Sequence, residues 1–135
     1  MRVLVCDDDA STRFVLNRVL VRQHQADITE AVDGMQALAL LKSQSFDLLI
    51  LDLNMPGLDG VETLQALRKI PGLERLPVII LSGERHVESV QQVIQLGVVD
   101  FLLKPLHRDS TAERLHAIVH RLEEAKAPSA PSPGG

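Results

Sequence analysis

Short unbroken apolar runs recur along the chain, separated by longer segments in which apolar residues return every three or four positions. Val3-Leu4-Val5-Cys6, Leu48-Leu49-Ile50-Leu51, Val78-Ile79-Ile80-Leu81 and Phe101-Leu102-Leu103 are the runs. An apolar run of this length bounded by turn residues reads as a strand buried on both faces. These predict strands over 3–6, 46–53, 78–81 (opened by Pro77) and 98–103. Residues 25–31, with Ile28 among polar neighbours, fit a short edge strand. Between them the spacing predicts a helix over 10–22, capped by Asp9 or Ser11, with Val15, Leu16, Val19 and Leu20 inward. Asp33-Gly34 reads as a turn before a second helix over 35–42. Val61, Leu64 and Leu67 mark a third, which ends before Pro71-Gly72. A fourth over 86–96 turns Val87, Val90, Val93 and Ile94 inward, with Gly97 at its C-cap. Leu115, Ile118, Val119 and Leu122 give the last helix a regular stripe. Strand and helix thus alternate five times, the pattern of an α/β, doubly wound parallel sheet with helices on both faces. The stretch over 126–135 turns to Ala, Pro, Ser and Gly and reads as a flexible tail or linker beyond a domain over 1–125.

The strand ends carry the candidate chemistry. Leu51 runs into Asp52, Cys6 into Asp7-Asp8-Asp9, Leu81 into Ser82-Gly83 and Leu103 into Lys104-Pro105. One acid at a strand end can simply cap the next turn. In a parallel sheet, however, all of these groups project at the one edge where open α/β sheets bind ligands. Asp7, Asp8 and Asp52 then repel one another unless some are protonated or a cation sits among them. Oxygen donors with room left for water suit Mg²⁺. With Lys104 and the Ser82 hydroxyl beside it, such a pocket can hold a phosphoryl group, and Asp52 is the natural oxygen nucleophile.

On these residues the chain, from residue 1 to about 125, resembles a two-component response-regulator receiver domain. Asp7-Asp8 resemble the family's metal-binding acids and Asp52 its phosphoacceptor. The loop from Asp52 to Gly60 is similar to the family's loop, Ser82 stands at its hydroxyl position, Lys104-Pro105 matches its Lys-Pro pair, and Phe101 falls at its aromatic switch position. The resemblance implies a flavodoxin-like doubly wound five-stranded parallel sheet, order 2-1-3-4-5, with five helices. It implies Mg²⁺, or Mn²⁺, held by Asp7, Asp8, Asp52 and the backbone carbonyl of Asn54, and a cis Lys104–Pro105 bond. A sensor histidine kinase or histidine phosphotransfer protein is the implied donor, and a downstream protein partner or fused output domain the reader. Signalling would pass through Ser82 and Phe101, and the domain would catalyse only its own phosphorylation and dephosphorylation. Two other readings compete. One is a pseudo-receiver that never takes phosphate. The other is a Mg²⁺-dependent phosphohydrolase resembling the haloacid dehalogenases, which carry a second acid where Asn54 stands. Leu106, where many receivers have Phe, and Thr111-Ala112, where a leucine often anchors the last helix, depart from the pattern and put that helix's first turn in question.

Composition refines this picture. The 135 residues fit one domain. Without Trp or Tyr the core must be aliphatic. A net charge of −4 leaves no basic surplus for direct nucleic-acid binding. Cys6 stands alone, so no intrachain disulfide forms, and it reads as packing. No apolar run approaches membrane-spanning length, and the cytoplasm is the expected location. Asp9 reads as a cap and Asp59 as fixing its loop. The histidines share no metal spacing. His116 and His120 are four apart on a helix, which permits a metal, but the sequence shows no acidic partner for them.

Overall fold

The computed structural model describes residues 1–55, 57–83 and 87–126. Pro56, the expected helix start at His86 and the tail over 127–135 lie outside them. Five strands, β1 (Arg2–Cys6), β2 (Asp27–Ala31), β3 (Leu48–Asp52), β4 (Val78–Ser82) and β5 (Asp100–Leu103), alternate with α1 (Ala10–His24), α2 (Gly34–Ser43), α3 (Gly60–Arg68), α4 (Val87–Gln95) and α5 (Arg108–Lys126). All paired strands are parallel, in the order β2-β1-β3-β4-β5, as the resemblance implied. Strand order reverses direction beside β1 and β3, so their C-terminal ends flank the crevice where such sheets bind ligands.

Alternate side chains of each strand supply two separate cores. Leu4, Cys6, Leu49, Leu51, Val78 and Ile80 pack with α2 and α3 and with Val93 of α4. Val3, Val5, Leu48, Ile50, Ile79 and Leu81 pack with Leu16, Val19 and Leu20 of α1 and Leu115, Ile118 and Val119 of α5. Every residue of β3 and β4 is buried, which accounts for their unbroken apolar runs. Among the described residues no helix is long and apolar enough to cross a membrane.

Several expectations are corrected. Ile94 is 56% exposed rather than inward. It lies one residue, about 100°, round the helix from the buried Val93, and α4 covers the edge of the sheet rather than its centre. Asp33-Gly34 is a helix start, not a separate turn: the Asp33 side chain caps α2 by accepting from Gln36 N. The first turn of α5, in question at Thr111, is in fact packed. Thr111 is buried, and its amide donates to His107 O at 2.8 Å.

The helix starts bring the strand-end loops back onto the sheet. Asp9 caps α1 through Ser11 N. Asp59 caps α3 by accepting from Glu62 N, while Glu62 reaches back to Asp59 N, a reciprocal capping box. Gly60 then lies directly against the end of β3. A Cβ there would fall inside contact distance of Asp52 O and the Leu53 Cα, so only glycine fits without displacing the backbone that carries Asp52.

Candidate functional site

Asp7, Asp8 and Asp52 converge at the C-terminal edge of the sheet, with one carboxylate oxygen from each within 4.8 Å of the others. Asp7 is fully buried and Asp52 only 2% exposed, whereas Asp8 is exposed. Lys104 reaches in from the end of β5. Its Nζ donates to Asp52 Oδ2 at 3.1 Å and lies 2.8 Å from Asp7 Oδ2. This second contact is the closer of the two, so one ammonium is shared between the two buried acids. Oδ1 of Asp7 accepts from Asp9 N at 2.8 Å, and Oδ1 of Asp52 accepts from Asn54 N at 3.1 Å. The loop backbone thereby fixes both carboxylates.

Burial pushes the Asp7 carboxyl above its usual value, and the charge of Asp52 adds to it; Lys104 and the Asp9 amide pull the other way without cancelling the shift. Burial also opposes the charge on Lys104, but its contacts with Asp7 and Asp52 outweigh that and hold the ammonium above its usual value. Three acids facing this ammonium leave negative charge uncompensated. A donor set of three carboxylates sharing one ammonium, with an exposed third acid that leaves room for water, fits a hard divalent cation such as Mg²⁺.

Ser82, 2% exposed, ends β4 beside this pocket, and Lys104 N donates to Ser82 O at 2.8 Å. Phe101 lies on β5 with its ring packed against the α2–α3–α4 core. Ser82 and Phe101 both line a groove of ≈760 Å³ between α4, β5 and α5. The Lys104–Pro105 bond is cis. Asn54 is exposed in the loop after β3. Cys6 is buried packing, as expected, and burial pushes its thiol up to about 12.

Three residues near the site were not read from the sequence. Arg13 donates to Asp7 O at 2.7 Å and pairs with Glu30 at 2.8 Å, tying α1 to β2 under the acid loop. Gly60 is the second. Thr63, buried in α3, stands where a Cβ on Gly34 would strike its hydroxyl, so α2 and α3 meet at closest range there. The Asp59-x-x-Glu62 spacing was the available signal for the capping box. Arg13 and Gly60 serve the backbone of Asp7 and of Asp52-Leu53 across turns of the strand-end loops, a pairing that no helix or strand period announces.

Fold and pocket together define a class: a doubly wound α/β domain with three acids and a lysine at the C-terminal ends of its strands. The family model of the response regulator receiver domain matches residues 3–116. The chain belongs to that family. It is 33% identical over 122 residues to chemotaxis protein CheY-3 of Vibrio cholerae serotype O1, covering 90% of this chain and 94% of that one. It is 32% identical to the cell cycle transcriptional regulator CtrA of Caulobacter vibrioides, covering 90% of this chain but only 51% of that longer protein. The solved structure of the Mn²⁺-bound form of response regulator Rcp1 matches with a TM-score of 0.75 at 25% identity, covering 91% of each chain.

Proposed function

We propose that this receiver is a working phosphoacceptor: a sensor histidine kinase or histidine phosphotransfer protein donates a phosphoryl group to Asp52. The observation that carries this reading is the placement of Asp52, nearly buried and held by Lys104 and Asn54 N. A carboxylate oxygen of Asp52 attacks phosphorus, the P–O bond forms, and the P–N bond to the donor imidazole breaks. Lys104 sits where it can offset charge on the incoming phosphoryl oxygens, and the Ser82 hydroxyl is at hand to donate to one of them. Asp7, Asp8, Asp52 and the Asn54 carbonyl would hold Mg²⁺ or Mn²⁺, whose bound charge would neutralise the phosphoryl oxygens; the Mn²⁺-bound form of Rcp1 supports the second of these. Water attack on the same phosphorus returns Asp52 to its free form.

The domain extends in this reading over 1–125 with a tail over 126–135, and it works in the cytoplasm. The output passes to a separate partner or to a fused output domain. Relatives of nearly the same span and of twice the span support both arrangements.

The test is intact-mass measurement after incubation with a small acyl phosphate and Mg²⁺. One phosphoryl adduct is expected in the wild type and none in Asp52→Asn or with chelator. Absence of an adduct in the wild type would favour a phosphate-independent interaction module. An adduct that persists in Asp52→Asn would overturn the assignment.

A further inference from the structure

On the flank formed by α1 and α5, the structure brings together three histidines that lie far apart in sequence. His24 ends α1, and His116 and His120 lie one turn apart on α5. The His24 and His116 ring centroids are 5.3 Å apart, and those of His116 and His120 6.4 Å. The acidic partner absent from the sequence reading is present, since Glu124 Oε1 is 3.1 Å from His120 Nε2. Nε2 of His24 is buried and has no hydrogen-bond partner among the described residues. The cluster is remote from the acid pocket, because α1 runs for 15 residues between Asp9 and His24, about 22 Å at ~1.5 Å per residue.

We propose that His24, His116 and His120 form a second cation site, for a borderline transition ion such as Zn²⁺ or Ni²⁺, bridging α1 and α5. Neutral imidazoles suit these ions, whereas the acid pocket suits hard ones. Two imidazoles sharing one tetrahedral Zn²⁺, each with a ~2.05 Å Zn–N bond and ~1.1 Å from nitrogen to ring centre, hold their ring centroids about 5 Å apart. The His24–His116 pair, at 5.3 Å, is at that spacing, and the His116–His120 pair, at 6.4 Å, is beyond it, so His120 closes the site by swinging inward. The rings are now near parallel, at 25° and 16°, so ligation requires the two α5 rings to turn. Both are exposed, so the turn is opposed by their stacking on one another and on His24 and by the His120–Glu124 contact rather than by the core. Glu124 is placed to orient His120 from outside, and Glu123 lends negative charge near His24. The C-terminal end of α1, where His24 sits, favours a cation.

The test is a Zn²⁺ titration of the untagged chain in saturating Mg²⁺, followed by calorimetry and by imidazole ¹⁵N shifts. One Zn²⁺ per chain is expected, with shifts at His24, His116 and His120. Asp8→Ala should bind Zn²⁺ as the wild type does. Glu124→Gln should weaken binding by about tenfold, and His116→Gln by more than that. His116 is exposed, so its variant tests the site without endangering the fold. Failure of Zn²⁺ to bind stoichiometrically in Mg²⁺, or equal binding by His116→Gln, would overturn the site.

Discussion

Asp7 is buried beside Asp52 and shares the one Lys104 ammonium with it. Its raised pKa means that folding opposes its ionisation. The sign follows directly: the cost is absent below the ordinary carboxylate range, grows as pH rises from there toward the raised value, and is fully present above it. Asp7→Asn removes that charge and leaves Lys104 paired with Asp52. In Mg²⁺-free buffer at neutral pH the variant should therefore melt higher than the wild type, and the gap should close as pH falls toward about 4. Added Mg²⁺ should raise the melting temperature of the wild type and leave Asp7→Asn nearly unmoved. A variant that melts below the wild type at neutral pH would contradict this account. The acids themselves were legible in the sequence because each directly ends an apolar run. The order of their burial, Asp7 deepest and Asp8 outermost, was not, because it depends on how β1 sits between β2 and β3.

At the level of elements, Arg68 at the end of α3 does what no local pattern announces. Its Nε donates to Leu96 O at 3.0 Å, one terminal nitrogen to Leu73 O and Leu76 O at 3.0 and 2.8 Å, and the other to Gly97 O at 2.5 Å. One guanidinium thus ties the end of α3 to the residues that follow α4 and to the entry to β4. Burial pulls its pKa below the usual guanidinium value, a cost that the four carbonyls offset. Arg68→Ala should lose at least about 2 kcal/mol in denaturant unfolding, since hydrogen bonds to a charged group are among the stronger ones. Arg68→Lys should recover only part, because an ammonium cannot match the fork. A loss within about 0.5 kcal/mol would mark the clamp as incidental. The strands and most helix faces were readable from their periods. Ile94 misled because an apolar stripe states only that a helix has an inner side. How wide that side is depends on the neighbouring strand, and α4 covers an edge.

For the whole molecule the question is how a charge placed on Asp52 reaches the α4–β5–α5 side. Strands β4 and β5 pair Ser82 with Leu103 and Ile80 with Phe101, so Phe101 sits one step behind the hydroxyl, along the same groove. A phosphoryl group that draws Ser82 inward opens space that the ring can enter. Ser82→Ala should still be phosphorylated at Asp52, yet show reduced NMR shift changes over residues 87–110. The coupling so lost falls in the usual range of about 1–3 kcal/mol. Shift changes equal to those of the wild type throughout that region would break the link. The architecture was legible as a βα count, and the strand order came with the family likeness. The fastening at the opposite edge of the sheet was invisible, since every atom Arg68 holds is a carbonyl that any sequence would supply. That fastening has a mechanical consequence. A door swings only if one jamb is bolted, and here the bolt is at the entry edge of β4 and β5, the full length of the sheet from the acids. Displacement begun at the rim therefore dies away toward that fixed end and stays largest beside the strand ends, so another molecule would feel it there rather than along the whole flank.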